Sequence, residues 1–214
     1  MLERIICLGI GYVFGLFQTG YIYGKMNGID IRDYGSGNAG TTNALRTLGL
    51  KAGVITFLGD AFKCIFAVLT AYLIFRNTYP GYMRLLAVYT SAGAVLGHNY
   101  PFYLKFRGGK GIAATAGMIA TFGPLVIAIG IAAFAAIFVT THYVSLGSIV
   151  LYLVLVATLI ITGQNGFWGM EQIYLNEMYV LVILLAALAI WKHRANISRL
   201  LKGTENKTYL KKKK

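Results

Sequence analysis

The sequence predicts an all-α, polytopic membrane protein with seven transmembrane helices, one of them short, the N-terminus outside and the C-terminus cytoplasmic. Three observations carry this. Hydrophobic residues make up 57% of the 214 positions and charged residues 13%, a balance too apolar for one soluble domain of this length. The apolar residues fall into runs of about 20, the length that crosses a bilayer core. Lys and Arg collect in alternate connections between those runs, as the positive-inside rule requires.

Taken in order, the runs lie at about 5–23, 52–75 and 83–100. The apolar stretch 112–139 is too long for one straight helix and contains Gly123-Pro124, which predicts a short helix at 112–122, a tight turn and a second helix. Runs at about 144–162 and 178–191 complete the set, with 163–177 read as an outside loop that holds Glu171 and Glu177 and no Lys or Arg. Glu3 and Arg4 make a weak leader, and the run after them has no small-residue cleavage site, so the first helix is expected to stay. Cys7 and Cys64 both sit in apolar runs and read as small core residues, with neither a disulfide framework nor a metal-ligand spacing. Residues 1–205 are expected to form a single membrane domain and 206–214 a basic cytoplasmic tail, its terminal Lys211–Lys214 run solvated or at the lipid surface.

This orientation brings three polar segments to the cytoplasmic side. The first, Gly35-Ser36-Gly37-Asn38-Ala39-Gly40-Thr41-Thr42-Asn43, is followed by Arg46, and combines free backbone, neutral donors and a planar fork suited to phosphate. The second runs from Gly97-His98-Asn99-Tyr100-Pro101 to Phe106-Arg107-Gly108-Gly109-Lys110-Gly111, with Lys110 at the mouth of the short helix, where unpaired N–H groups and the helix dipole favour an anion. A Walker A loop would need Gly at Leu104 and Ser or Thr at Gly111, so nucleotide hydrolysis is disfavoured. In the third, Lys192 to Glu205, His193, Asn196 and Leu200 share a helical face, and His193 and Asn196 are expected to turn inward.

Two smaller features lie nearer the bilayer. Asp60 and Lys63 are i, i+3 partners in the second run and read first as a mutually neutralising structural pair. Ser145 reads as a cap of the sixth run, and Ser148 as a packing hydroxyl or a ligand contact. The cytoplasmic face carries no Ser-His-Asp order, zinc spacing or paired carboxylates, and Tyr103 stands where a His-x4-Asp motif starting at His98 would place its acid. Such a face can accelerate a reaction of preactivated substrates by positioning and charge stabilisation. A transporter for a phosphorylated solute is the alternative from another class, disfavoured because the polar groups cluster at one face and no repeat is visible.

In these segments the chain resembles the bacterial acyl-phosphate:glycerol-3-phosphate acyltransferase family, PlsY-type integral membrane enzymes, from Gly28 to Glu205. The resemblance rests on Gly35-Ser36-Gly37-Asn38 with Gly40, Thr42, Asn43 and Arg46; on Gly97-His98, Pro101, Phe106 and Gly108-Gly109-Lys110-Gly111; and on His193-Arg194, Asn196-Ile197, Arg199-Leu200, Gly203 and Glu205. It implies transfer of a fatty acyl group from acyl phosphate to the sn-1 hydroxyl of glycerol 3-phosphate in a bacterial cell membrane, with lysophosphatidate and phosphate as products. It further implies no cofactor, no metal, no nucleic acid and no obligate protein partner.

By the same resemblance Ser36, Asn38, Arg46, Lys110, His193 and Asn196 hold glycerol 3-phosphate. Thr42, Ser148 and the Gly108–Gly111 backbone hold acyl phosphate, Asn43 joins the binding set, and the catalytic set is His193, Lys110, Ser36 and Arg46. The chain departs from the family where Leu16-Phe17-Gln18 replaces Ser-Ile-Pro, Cys64 replaces Gly, Ala114 replaces Thr and Ala195 replaces Glu. These changes bear on helix packing and the acyl groove. The acceptor of the hydroxyl proton is either His193 or a substrate phosphate oxygen, and the cationic surroundings of His193 favour the phosphate.

Overall fold

The computed structural model describes residues 1–209, so the expected Lys211–Lys214 surface run lies outside the described residues. Each of the seven apolar runs is helical, the first in two pieces: α1 (Leu2–Gly15) and α2 (Thr19–Met26), α4 (Leu50–Phe75), α5 (Met83–Asn99), α6 (Ile112–Phe122), α7 (Pro124–Thr141), α8 (Val144–Gln164) and α9 (Gln172–Lys192). Two further short helices, α3 (Thr41–Leu48) and α10 (Arg194–Leu201), lie in the polar segments. Among the described residues there is no β-strand. Five segments, 2–26, 50–75, 124–141, 144–164 and 172–192, are long and apolar enough to cross a membrane.

Local chemistry sets most boundaries. Gly123 at φ +103° ends α6 in a conformation that costs glycine little, and Pro124, which lacks a donor that a first helical turn does not need, opens α7. The 11 residues of α6 reach about 16 Å, roughly half a bilayer core. Gly11 and Gly15 of α1 face Gly93 and Gly97 of α5, and a Cβ at any of the four would strike the partner helix's backbone. The two backbones therefore touch, the small-residue contact by which helices associate without a hydrophobic drive from lipid. Cys7 and Cys64 are free and fully buried, as expected of small core residues.

Two boundaries differ from the sequence expectation. The first run breaks at Leu16-Phe17-Gln18. There the buried Gln18 amide donates to the carbonyl oxygens of Gly15 at 3.1 Å, Gly97 at 3.3 Å and His98 at 3.1 Å, while Lys63 Nζ donates to Phe17 O at 2.6 Å. A helix can open inside a membrane protein where such donors meet the freed carbonyls, and no proline is required. The expected loop 163–177 is already helical from Gln172, because its polar residues find partners. Gln172 Nε2 donates to Asn176 Oδ1 at 2.7 Å, and Glu177 accepts from Arg4 of α1 at 2.6 and 2.8 Å and from the Tyr89 hydroxyl at 2.6 Å.

Candidate active site

A cavity of about 670 Å³ opens at the end of the bundle where the three polar segments meet. Its polar end is lined by Ser36, Asn38, Thr42, Arg46, Lys110, His193 and Asn196, together with Asp60, His98, Glu205 and Thr208. The remainder runs between α6, α7 and α8 along Ile112, Ile119, Ile127, Phe134, Phe138 and Leu151. One space thus joins a cationic mouth to an apolar groove.

The first polar segment is a loop followed by a helix. Asn43, only 2% exposed, accepts from the Ser36 backbone N–H at 2.8 Å and donates to the carbonyl oxygens of Ile31 at 2.9 Å and Tyr34 at 3.0 Å. Its amide is spent on holding the loop, so Asn43 touches the cavity as scaffold rather than as a free ligand group. Asn38 Oδ1 accepts from Gly40 N at 2.9 Å and shapes the entry to α3, which carries Arg46 to the cavity rim.

In the second segment Gly108 and Gly109 do not line the cavity, contrary to the expectation that the whole Gly108–Gly111 backbone meets acyl phosphate. Gly108 N donates to Asn99 O at 3.3 Å and Gly109 N to His98 O at 3.0 Å. Lys110 and Gly111 do reach the cavity, as do Ile112 and Ala113, whose N–H groups stand in the unpaired first turn of α6. The glycines at 108 and 109 serve close approach, because a Cβ at Gly109 would fall on the His98 imidazole and one at Gly108 on His98 O.

The third segment supplies the network around Lys110. The Lys110 ammonium donates to Asn196 Oδ1, and Asn196 Nδ2 donates to Glu205 Oε1 at 2.7 Å. Glu205, 8% exposed, also accepts from Ser145 Oγ at 3.0 Å and Arg199 Nε at 2.7 Å. Burial pushes the Glu205 carboxyl up, but the hydrogen bonds from Asn196, Arg199 and Ser145 outweigh it and hold the group below its ordinary value. Burial, with Arg199, Lys192 and Arg46 nearby, lowers Lys110 to about 8 against the pull of Glu205. An arriving phosphate raises it again.

His193 closes α9 and opens α10, and both it and Asn196 are buried, as the shared face predicted. His193 Nδ1 lies 2.7 Å from Ala189 O, which assigns the proton to Nδ1 and leaves Nε2 as the acceptor. Burial and then the Lys110 charge pull His193 down to about 4. It is therefore neutral at pH 7 and a weak base.

Ser145 is not a cap: its hydroxyl ties α8 to Glu205, and no side chain caps that helix. Ser148 lines the cavity, 1% exposed, while its hydroxyl donates to Val144 O at 2.8 Å, leaving its oxygen lone pairs to accept. Sequence reading left Glu205, Ser145, His98 and Thr208 out of the site. The available signal for Glu205 was an isolated acid closing a strongly basic segment. Asp60 was read as structural, and it does neutralise Lys63 at 2.8 Å. The pair extends to His98, whose Nδ1 is 2.8 Å from Lys63 Nζ, and Asp60 and His98 both border the cavity. Among the described residues no three His, Cys, Asp or Glu side chains are grouped to hold a metal ion.

Residues 5–203 match the family model described as glycerol-3-phosphate acyltransferase. The chain belongs to that family. It is 43% identical over 201 residues to a glycerol-3-phosphate acyltransferase of Thermoanaerobacter sp. (strain X514), covering 92% of each chain, and 42% identical over 215 residues to that of Clostridioides difficile (strain 630), covering 97% of each. The fold agrees with the crystal structure of PlsY (YgiH), an integral membrane glycerol 3-phosphate acyltransferase, in its glycerol 3-phosphate form, at a TM-score of 0.83 and 32% identity over 96% of each chain. The lysophosphatidic acid form of PlsY aligns at a TM-score of 0.80 and 31% identity, over 97% of this chain and 96% of that one. This glycerol-3-phosphate acyltransferase is accordingly a PlsY-type, all-helical, multi-pass membrane enzyme.

Proposed function

We propose that the enzyme moves a fatty acyl group from acyl phosphate to the sn-1 hydroxyl of glycerol 3-phosphate, at a site on the cytoplasmic face of a bacterial cell membrane. In this reading the chain passes the membrane seven times and ends in the cytoplasm. The observation that carries it is one continuous cavity that joins a cationic mouth to an apolar groove. A water-soluble phosphate ester suits the first and an activated fatty chain the second. The relatives' shared name and the glycerol 3-phosphate form of PlsY support the acceptor, and the lysophosphatidic acid form supports the product.

Acyl phosphate is a mixed anhydride and brings its own activation. The sn-1 oxygen attacks the acyl carbonyl carbon, the bond from that carbon to the bridging phosphate oxygen breaks, and inorganic phosphate leaves with the bonding pair. Arg46 and Lys110 hold phosphate oxygens, Ser36, Asn38, His193 and Asn196 orient the glycerol 3-phosphate, and Thr42, Ser148 and the first turn of α6 border the donor. The hydroxyl proton passes to a substrate phosphate oxygen, since His193 sits near 4 and is a poor base at pH 7. His193 Nε2 accepts a hydrogen bond from substrate and orients it.

The test is direct. Purified enzyme, synthetic acyl phosphate and labelled glycerol 3-phosphate are expected to yield 1-acyl-sn-glycerol 3-phosphate and phosphate in equal amounts. Product formed from an acyl thioester alone would remove acyl phosphate as donor. A His193→Ala variant that kept its glycerol 3-phosphate affinity while losing several orders of magnitude in kcat would return the base role to His193.

A further inference from the structure

The Arg46 fork is engaged by the chain's own C-terminal segment. Arg46 Nη2 donates to the backbone oxygen of Asn206 at 3.0 Å and to Thr208 Oγ1 at 2.7 Å. Nη2 carries two hydrogens, one on the edge shared with Nε and one on the edge shared with Nη1. Bidentate recognition of a phosphate takes one of those edges, and each edge needs a hydrogen of Nη2. With two acceptors on Nη2, neither edge is complete.

The segment that supplies those acceptors is seated on the site. After α10 the chain turns at Gly203, with φ +68°, and Glu205 is held by Ser145, Asn196 and Arg199. Thr208 is only 4% exposed, borders the cavity, and donates its backbone N–H to His142 O at 2.9 Å. The Tyr209 ring lies 4.8 Å from that of His142, and the Lys207 ammonium 5.7 Å from the Tyr143 ring. Asn206 to Tyr209 lie beyond residue 203, where the match to the family model ends.

We propose that Asn206–Thr208 is a displaceable latch, with Thr208 a positioning residue that holds Arg46 in the empty enzyme and yields it to a substrate phosphate dianion. The inference rests on the reading that Arg46 binds a substrate phosphate. Glycerol 3-phosphate and acyl phosphate both present that chemistry, and whichever one takes the fork must first break the contact with Thr208. The latch thus weakens binding of that substrate by the strength of the contact, and holds the guanidinium at the rim until the substrate arrives.

Steady-state kinetics on the full-length enzyme tests this, with each substrate varied against saturation by the other. Thr208→Val removes the acceptor at nearly constant shape, and Thr208→Ala removes it without a buried methyl in its place. Both are expected to lower KM for one phosphate substrate by about ten- to hundred-fold, the range of one hydrogen bond to a charged group, with kcat within about two-fold. Thr208→Ser is expected to keep the parent KM, and adding Thr208→Val to Arg46→Lys to lower KM no further. The substrate whose KM falls identifies the phosphate that Arg46 takes. A KM unchanged or raised for both substrates in the Val and Ala variants overturns the latch. If the parent enzyme turns over both substrates, that result leaves the acyltransfer reading intact, whereas an inactive parent enzyme defeats the reading itself.

Discussion

Gly109→Ala tests how the Gly-Gly-Lys turn is held. A Cβ at this position meets His98 Nε2 inside van der Waals contact and lies 2.8 Å from both Cδ2 and Cε1 of the ring. The imidazole has little room to give way: it is 2% exposed, and its Nδ1 is 2.8 Å from Lys63 Nζ, itself paired with Asp60 at 2.8 Å. Moving the ring would disturb a buried ion pair, which costs more than moving the turn. The turn is held by two longer bonds, Gly109 N to His98 O at 3.0 Å and Gly108 N to Asn99 O at 3.3 Å. Overpacking of this kind costs roughly 1–3 kcal/mol, and its relief carries Lys110 away from Asn196. A displacement near 1 Å at a positioning group costs about 100-fold in rate, so kcat/KM for glycerol 3-phosphate is expected to fall by about that factor. Gly9→Ala is the control, since a Cβ on that exposed face of α1 meets nothing within 4 Å, and it is expected to leave the kinetics within error and the melting temperature no lower. A Gly109→Ala enzyme with kcat/KM within two-fold of its parent and an unchanged melting temperature would refute this account of the turn.

Replacing Lys110 with Met removes one charge-assisted contact and is expected to raise KM for glycerol 3-phosphate about ten- to hundred-fold, with a smaller change in kcat; steady-state kinetics with the donor saturating reads the split. Because Lys110 in the empty enzyme lies near 8, its charge is present below that pH and lost above it, so KM should climb as pH rises through about 8. Over pH 5.5–7.5 the same profile should show no acid limb from His193, which stays neutral above about 4; a limb centred near 6.5 that vanishes in His193→Gln would contradict this. Asp60→Ala leaves Lys63, 4% exposed, without its carboxylate, and is expected to destabilise the fold by about 3–5 kcal/mol, seen as a fall in the melting temperature in detergent. Gln18→Leu removes the donor shared by three carbonyl oxygens and should cost roughly 1–3 kcal/mol in the same measurement.

Particular residues show where sequence legibility stopped. The α6–α7 turn was readable because Gly123 and Pro124 act through backbone conformation, which depends only on the residue itself and its immediate neighbours. The break at Leu16-Phe17-Gln18 was not, because it depends on carbonyl oxygens of α5 meeting the Gln18 amide. The early start of α9 likewise depends on Arg4, 173 residues away in the chain, donating to the Glu177 carboxylate and balancing its charge. Ser36, Asn38, Thr42, Arg46, Lys110, Ser148, His193 and Asn196 all border one cavity, so their convergence was legible from residue type and segment. Their division of labour was not. Asn43, Gly108 and Gly109 carry the same chemistry as their neighbours, and only the partners that they meet turn them into scaffold.

The sequence by itself determined the class of the protein and the end of the bundle at which its polar segments gather, because apolar runs of this length cross a membrane as helices and polar, glycine-rich segments are costly against lipid. The family resemblance, too, was legible in the residues that its three polar segments carry. The tertiary structure decided which donors are free. It spends the Gly108 and Gly109 amides on α5, draws Glu205 in to hold Asn196 against Lys110, lowers Lys110 and His193 by burial, and seats Thr208 on Arg46. Each of these depends on distance and desolvation between groups far apart in the chain, and neither quantity is set until the helices pack.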